Sequence, residues 1–136
     1  MAELAPQSTR PLTIMLVDDD DFLLDMYAVK FKERGAKVNA FNTPQKALQA
    51  LKEGASPDLL VTDVVMPEMG GFEFIDALKA LGLSRVPPVI VLSNQGQDSD
   101  FNSAQERGVI GYIIKANAIP SEVIDMCMGL YEKKQS

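Results

Sequence analysis

Histidine is absent from the 136 residues. Serine–histidine and cysteine–histidine catalysis, imidazole metal ligands and a histidine phosphodonor within the chain are therefore excluded. Cysteine occurs once, as Cys127, so neither an intrachain disulfide nor a cysteine-rich zinc site can form, which favours a reducing compartment. Positive charge is scarce too. Thirteen Lys and Arg against nineteen Asp and Glu give a formal net charge of −6, and no basic patch stands out, so direct nucleic-acid binding is not expected. No apolar run approaches the roughly 20 residues that span a bilayer, and the first residues lack the apolar core of a signal peptide. No membrane contact is expected, and the cytoplasm is the default location.

The length fits one domain, and a chain of this size buries roughly two-thirds of its unfolded surface, enough for a core without staples. Residues 1–10 are polar and proline-punctuated and read as a flexible leader; residues 11–134 form the domain. Within it, short apolar runs alternate with helix-like spacing. Leu12–Val17 is a strand covered on both faces, and Asp20–Arg34 a helix stopping at Gly35. Ala36–Phe41 is a weaker strand, and Thr43–Glu53 a helix with an N-cap threonine before proline. Strands Asp58–Thr62, Pro88–Leu92 and Val109–Ile114 then alternate with helices Gly71–Leu81, Asp98–Arg107 and Pro120–Lys133. Five βα units in succession imply an α/β fold, a mostly parallel sheet with helices on both faces.

Ligand sites in such sheets lie beyond the carboxyl ends of the strands, so the residues that follow each strand carry the functional information. The first strand delivers Asp18, Asp19, Asp20 and Asp21, the third Asp63, the fourth Ser93 and the fifth Lys115. Three carboxylates in one crevice, Asp18, Asp19 and Asp63, repel one another unless counter-charged. Lys115 is one counter-charge and a bound cation the other. Hard oxygen ligands suit Mg²⁺. A metal, a lysine and a serine hydroxyl around a carboxylate make an anion clamp suited to phosphoryl transfer. Each residue also has a plainer reading: Asp20 or Asp21 as a helix cap, Ser93 as a turn cap, Tyr112 as a core aromatic.

The run Ile14–Asp20 (IMLVDDD), Asp63–Gly71 (DVVMPEMGG), Ser93 after an apolar strand, and Gly111–Lys115 (GYIIK) together resemble response-regulator receiver domains of two-component signalling, of the chemotaxis-receiver type. The resemblance runs over roughly residues 10 to 133. It implies a flavodoxin-like, doubly wound five-stranded parallel sheet in the order 2-1-3-4-5, with five helices. It implies Asp63 as phosphoacceptor, with Mg²⁺ held by Asp18, Asp19, Asp63 and the backbone carbonyl of Val65. Ser93 corresponds to the switch hydroxyl, Lys115 to the base that pairs with the phosphoryl group, and Tyr112 to the aromatic that turns inward on activation. Val65 and Gln95 occupy positions that tune phosphoryl lifetime.

The function implied is transfer from a sensor histidine kinase or histidine phosphotransfer protein onto Asp63, followed by self-dephosphorylation. The chain is then no enzyme toward a separate substrate, and its signal is read on the face of the fourth helix, fifth strand and last helix. Two departures from the family pattern, Ala116 where a proline usually follows the lysine and Asn94 where a small residue usually follows the hydroxyl, leave an alternative: a phosphorylation-independent interaction module. On the last helix, Val123, Cys127 and Leu130 suffice to cover a sheet. A second row, Ile124, Met128 and Tyr131, is expected to offer an apolar edge to a downstream effector or a second copy of the chain, with Ile124 or Met128 exposed.

Overall fold

The computed structural model describes residues 11–94 and 96–135. The leader expected at residues 1–10 and the tuning position Gln95 lie outside the described residues. Five strands, β1 (Thr13–Val17), β2 (Lys37–Phe41), β3 (Leu59–Thr62), β4 (Val89–Ser93) and β5 (Gly111–Ile114), alternate with five α-helices. These are α1 (Asp21–Glu33), α2 (Pro44–Lys52), α3 (Gly71–Ala80), α4 (Asp98–Glu106) and α5 (Pro120–Gln135). All strand pairs are parallel and the order is β2-β1-β3-β4-β5, as the resemblance implied.

Period-two alternation along buried strands assigns each side chain to one of two cores. Ile14, Leu16, Leu59, Val61, Ile90 and Leu92 face Leu24, Tyr27 and Phe31 of α1 and Val123, Ile124 and Cys127 of α5. Met15, Val17, Leu60, Val89 and Val91 face Ala47, Leu48 and Leu51 of α2 and Phe74, Ile75 and Leu78 of α3. The central strands β3 and β4 are buried throughout, whereas edge strand β2 is half exposed. At the amino-terminal edge, Asp58 ties β1 to the chain entering β3: its Oδ2 accepts from the Thr13 amide at 2.8 Å and its Oδ1 from Arg85 at 2.7 Å.

Helix starts follow the capping signals. Asp20 accepts from the Leu23 amide at 3.1 Å and Thr43 from the Lys46 amide at 3.2 Å. The last helix requires a correction. Ile124 is completely buried, and Met128 and Tyr131 are half-buried against the same core. The second row is therefore not a freely exposed edge: α5 lies beside α1 on one face of the sheet, where Ile124 is enclosed and Met128 and Tyr131 are partly covered. The apolar residues exposed on and beside this helix are Met126 and Ile119.

Candidate phosphoacceptor site

The sheet's hydrogen bonds run one residue beyond the strands and fix the two buried carboxylates. The Asp63 amide donates to the Val17 carbonyl at 2.9 Å, and the Asp18 amide to the Phe41 carbonyl at 3.2 Å. Asp18 and Asp63 thus emerge side by side from adjacent strands β1 and β3. Each also accepts a local amide: Asp18 Oδ1 from Asp20 at 2.9 Å, Asp63 Oδ1 from Val64 at 2.7 Å. These bonds orient both carboxylates before any ligand arrives.

Lys115, at the end of β5, closes the site from the other side. Its Nζ donates to Asp18 Oδ2 at 2.7 Å and to Asp63 Oδ2 at 3.0 Å, and all three side chains are nearly buried. Burial raises the Asp18 carboxyl above its usual range despite the hydrogen bond from Lys115. Burial alone would lower the Lys115 ammonium, but the Asp18 hydrogen bond and the Asp63 charge outweigh it and hold the group above its ordinary value. Two carboxylates against one ammonium leave a local excess of negative charge. Asp19, exposed, brings a third carboxylate, and one oxygen from each of Asp18, Asp19 and Asp63 lies within 4.8 Å of the others. Three hard oxygen donors around excess negative charge fit a divalent ion of the Mg²⁺ kind.

A crevice of about 330 Å³ opens over the cluster, lined by Asp19, Asp20, Leu23, Asp63, Val65, Ser93, Asn94 and Lys115. The residues expected at the strand ends are thus brought together. Ser93 is buried at the end of β4, and its side chain shares a hydrogen bond with that of Tyr112 on β5. Tyr112 is half-buried, with the Phe101 ring edge-on at 4.6 Å between centroids. After β5 the chain turns through a short 3-10 segment, Lys115–Asn117, and no peptide bond among the described residues is cis, so Ala116 follows Lys115 through a trans bond.

Two supports were missed in the sequence reading. Thr62, fully buried, donates its hydroxyl to the Asp63 carbonyl at 3.0 Å. Gly71 lets the start of α3 close onto the loop that follows Asp63: its amide donates to the Val64 carbonyl at 2.7 Å, and a Cβ there would lie 2.1 Å from the Asp63 carbonyl oxygen. The run Asp63–Gly71 was legible as part of the resemblance, but the close approach of Gly71 to Asp63 was not.

The family model for the response regulator receiver domain matches residues 14–126. An uncharacterised 14.6 kDa protein in the sodA1 3′ region of Leptolyngbya boryana is 34% identical, over 80% of this chain and 82% of its own length. The two-component response regulator ORR5 of japonica rice is 25% identical over 84% of each chain. The transcriptional regulatory protein CpxR of Escherichia coli K12 is 36% identical over 75% of this chain, which spans only 42% of CpxR. Among solved structures, the chemotaxis response regulator CheY4 of Vibrio cholerae superposes with a TM-score of 0.78 at 22% identity, covering 89% of this chain and 99% of that one. At that identity the likeness speaks for the fold.

Proposed function

Because the chain belongs to the response regulator receiver domain family, we propose that it is a phosphorylation-controlled switch whose acceptor is Asp63. The observation that carries this reading is Lys115 Nζ bridging Asp18 and Asp63 on the floor of a solvent-open crevice, with Asp19 at its rim. Mg²⁺, held by Asp18, Asp19, Asp63 and the Val65 carbonyl, would supply charge neutralisation to the incoming phosphoryl oxygens.

The chain's own groups do the rest. The local amide and the lysine hold the Asp63 carboxylate in one orientation, so little reorganisation precedes attack. A carboxylate oxygen attacks the phosphorus of a phosphohistidine on a sensor kinase or phosphotransfer protein. The new P–O bond replaces the P–N bond, and the imidazole leaves and takes up a proton from solvent. Lys115 pairs with the added phosphoryl charge, and the Ser93 hydroxyl donates to a phosphoryl oxygen, leaving its bond to Tyr112. Water later attacks the phosphorus, releasing orthophosphate and restoring Asp63. Val65 and Asn94, which line the crevice, control how freely that water enters. The chain turns over only its own phosphoryl group and is not an enzyme toward a second substrate. Readout falls to α4, β5 and α5, by a downstream effector or a second copy of the chain, and the reaction belongs in the cytoplasm, where the donor kinase domain resides. Among the described residues no helix is long and apolar enough to cross a membrane.

The test is incubation with Mg²⁺ and a small phosphodonor such as acetyl phosphate. A mass gain of one phosphoryl group, absent without Mg²⁺ and absent in Asp63→Asn, is the expected result. No gain in the wild type, with intact fold, would leave an interaction module that works without phosphorylation.

A further inference from the structure

Asp100 has no role in the reaction above, yet it holds the only buried side-chain oxygen without a hydrogen-bond partner among the described residues, its Oδ2. Buried polar atoms are nearly always satisfied, and leaving one unpaired is destabilising, so an orphan that persists calls for a physical account. Its place in the fold narrows that account. Asp100 lies in the first turn of α4, one turn before Ala104, the only buried residue of that helix. Positions i and i+4 share a helix face, so Asp100 stands on the side of α4 turned toward the sheet. The next residue, Phe101, packs edge-on against the Tyr112 ring. Tyr112 in turn shares its hydrogen bond with Ser93, and the Asp100 charge is felt at the Tyr112 phenol.

The resting arrangement therefore holds one satisfied tyrosine and, close by, one unsatisfied carboxylate oxygen. Resting on the reading of Ser93 as the hydroxyl drawn to the phosphoryl group, we propose that Asp100 is a positioning residue that accepts the Tyr112 hydroxyl once Ser93 has left it. The bond between Tyr112 and Ser93 is exchanged for one from Tyr112 to Asp100. Phe101 keeps the tyrosine ring beside α4 while the partner changes. The exchange ties the first turn of α4 to the state of Asp63, and the unpaired oxygen of the resting state is satisfied only in the activated one.

The experiment is a double-mutant cycle on the full chain, with the affinity for beryllofluoride in the presence of Mg²⁺ measured by calorimetry. Tyr112→Phe and Asp100→Ala should each weaken binding several-fold, and the double variant should be no weaker than the weaker single. Asp100→Asn, which keeps an acceptor oxygen, should recover most of the loss. In the resting state Asp100→Ala should melt no lower than the wild type, because it removes an unsatisfied group. Affinity unchanged in Asp100→Ala, or losses that multiply in the double variant, would overturn the proposal. So would a clearly lower resting melting temperature for Asp100→Ala, which would mean that the carboxylate already has a partner. Should the wild type itself fail to bind beryllofluoride with Mg²⁺, the phosphoacceptor reading falls and this inference with it; binding without coupling removes this inference alone.

Discussion

Lys115 is the residue on which the resting site depends most. Read from sequence, Lys115 is a counter-charge to the carboxylates beyond the strand ends. In the structure it is buried between two carboxylates, so its removal strands two charges that have already left water. Breaking a buried ion pair from one side costs on the order of 3–5 kcal/mol. Lys115→Ala should therefore lower the urea midpoint strongly in the absence of metal, and millimolar Mg²⁺ should recover part of the loss. A variant as stable as the wild type would show that water enters the site freely. Cys127 makes a second case at this scale. Burial pushes its thiol up to about 12 from 9.0. Thiolate is the reactive form, so native protein should resist thiol reagents at pH 8 and react only on unfolding. The same shift has a sign in stability. Below pH 9 folded and unfolded chains both keep the proton; above it the unfolded chain loses the proton first, and stability falls as pH rises toward the folded value. Across pH 9 to 12 the wild type should lose more stability than Cys127→Ala, which shares every other titrating group.

At the scale of elements, the acceptor loop and α4 differ in how they are held. The start of α3 is pressed onto Asp63 through Gly71, where a methyl group would meet backbone rather than a movable side chain. Gly71→Ala should therefore displace the acceptor loop, lowering the melting temperature by several degrees and slowing phosphorylation from acetyl phosphate; Gly129→Ala, where a Cβ meets nothing within 4 Å, is the control and should do neither. Helix α4 is held mainly by polar contacts at its far end. Arg107, its C-cap, forms a two-pronged pair with Asp76 of α3 at 2.9 Å and lies over the Phe72 ring at 5.2 Å. With a single buried residue along the helix, the amides of α4 should exchange with solvent faster than those of α1 or α3, and faster still in Arg107→Ala. Equal protection in all the helices would contradict this picture. The helix itself was legible from Asp98 to Arg107, but its loose attachment was not, because hydrophobic spacing records which face is apolar and not how firmly that face is covered. The same limit explains Ile124. Two apolar rows on α5 read as more than one sheet face needs, but α1 lies beside α5, and the core they share buries Ile124 and partly covers Met128 and Tyr131.

For the whole molecule, fold and site were readable to different depths. Alternating strands and helices dictated an α/β fold, and the strand ends named Asp18, Asp63, Ser93 and Lys115, because a parallel sheet places all its carboxyl ends along one edge. Pairing geometry was not readable: that Lys115 serves both carboxylates at once, that Thr62 braces the acceptor carbonyl, and that Asp100 is left with an orphan oxygen depend on side-chain directions that spacing does not encode. Charge explains why these details matter together. The chain carries a net charge of −6, and Asp19, Asp20 and Asp63 line the crevice, with Asp18 buried beside Asp63, against Lys115, the single lysine among the described residues that line it. Folding therefore brings Asp63, which the unfolded chain keeps distant, against the Asp18–Asp20 run, and a divalent ion binding only the folded form stabilises it by mass action. Mg²⁺ at millimolar concentration should raise the melting temperature by several degrees, and the rise should be much smaller in Asp19→Asn, whose exposed carboxylate contributes little to the metal-free fold. Asp63→Asn should behave differently again: it relieves repulsion against Asp18, so its metal-free melting temperature should equal or exceed that of the wild type, while its response to Mg²⁺ shrinks. Calcium, tested at the same concentration and ionic strength, separates a specific oxygen site from general screening, since monovalent salt reaching the same ionic strength should raise the melting temperature far less than either divalent ion. If sodium chloride reproduced the whole Mg²⁺ effect, the three carboxylates would be repelling one another without holding a metal.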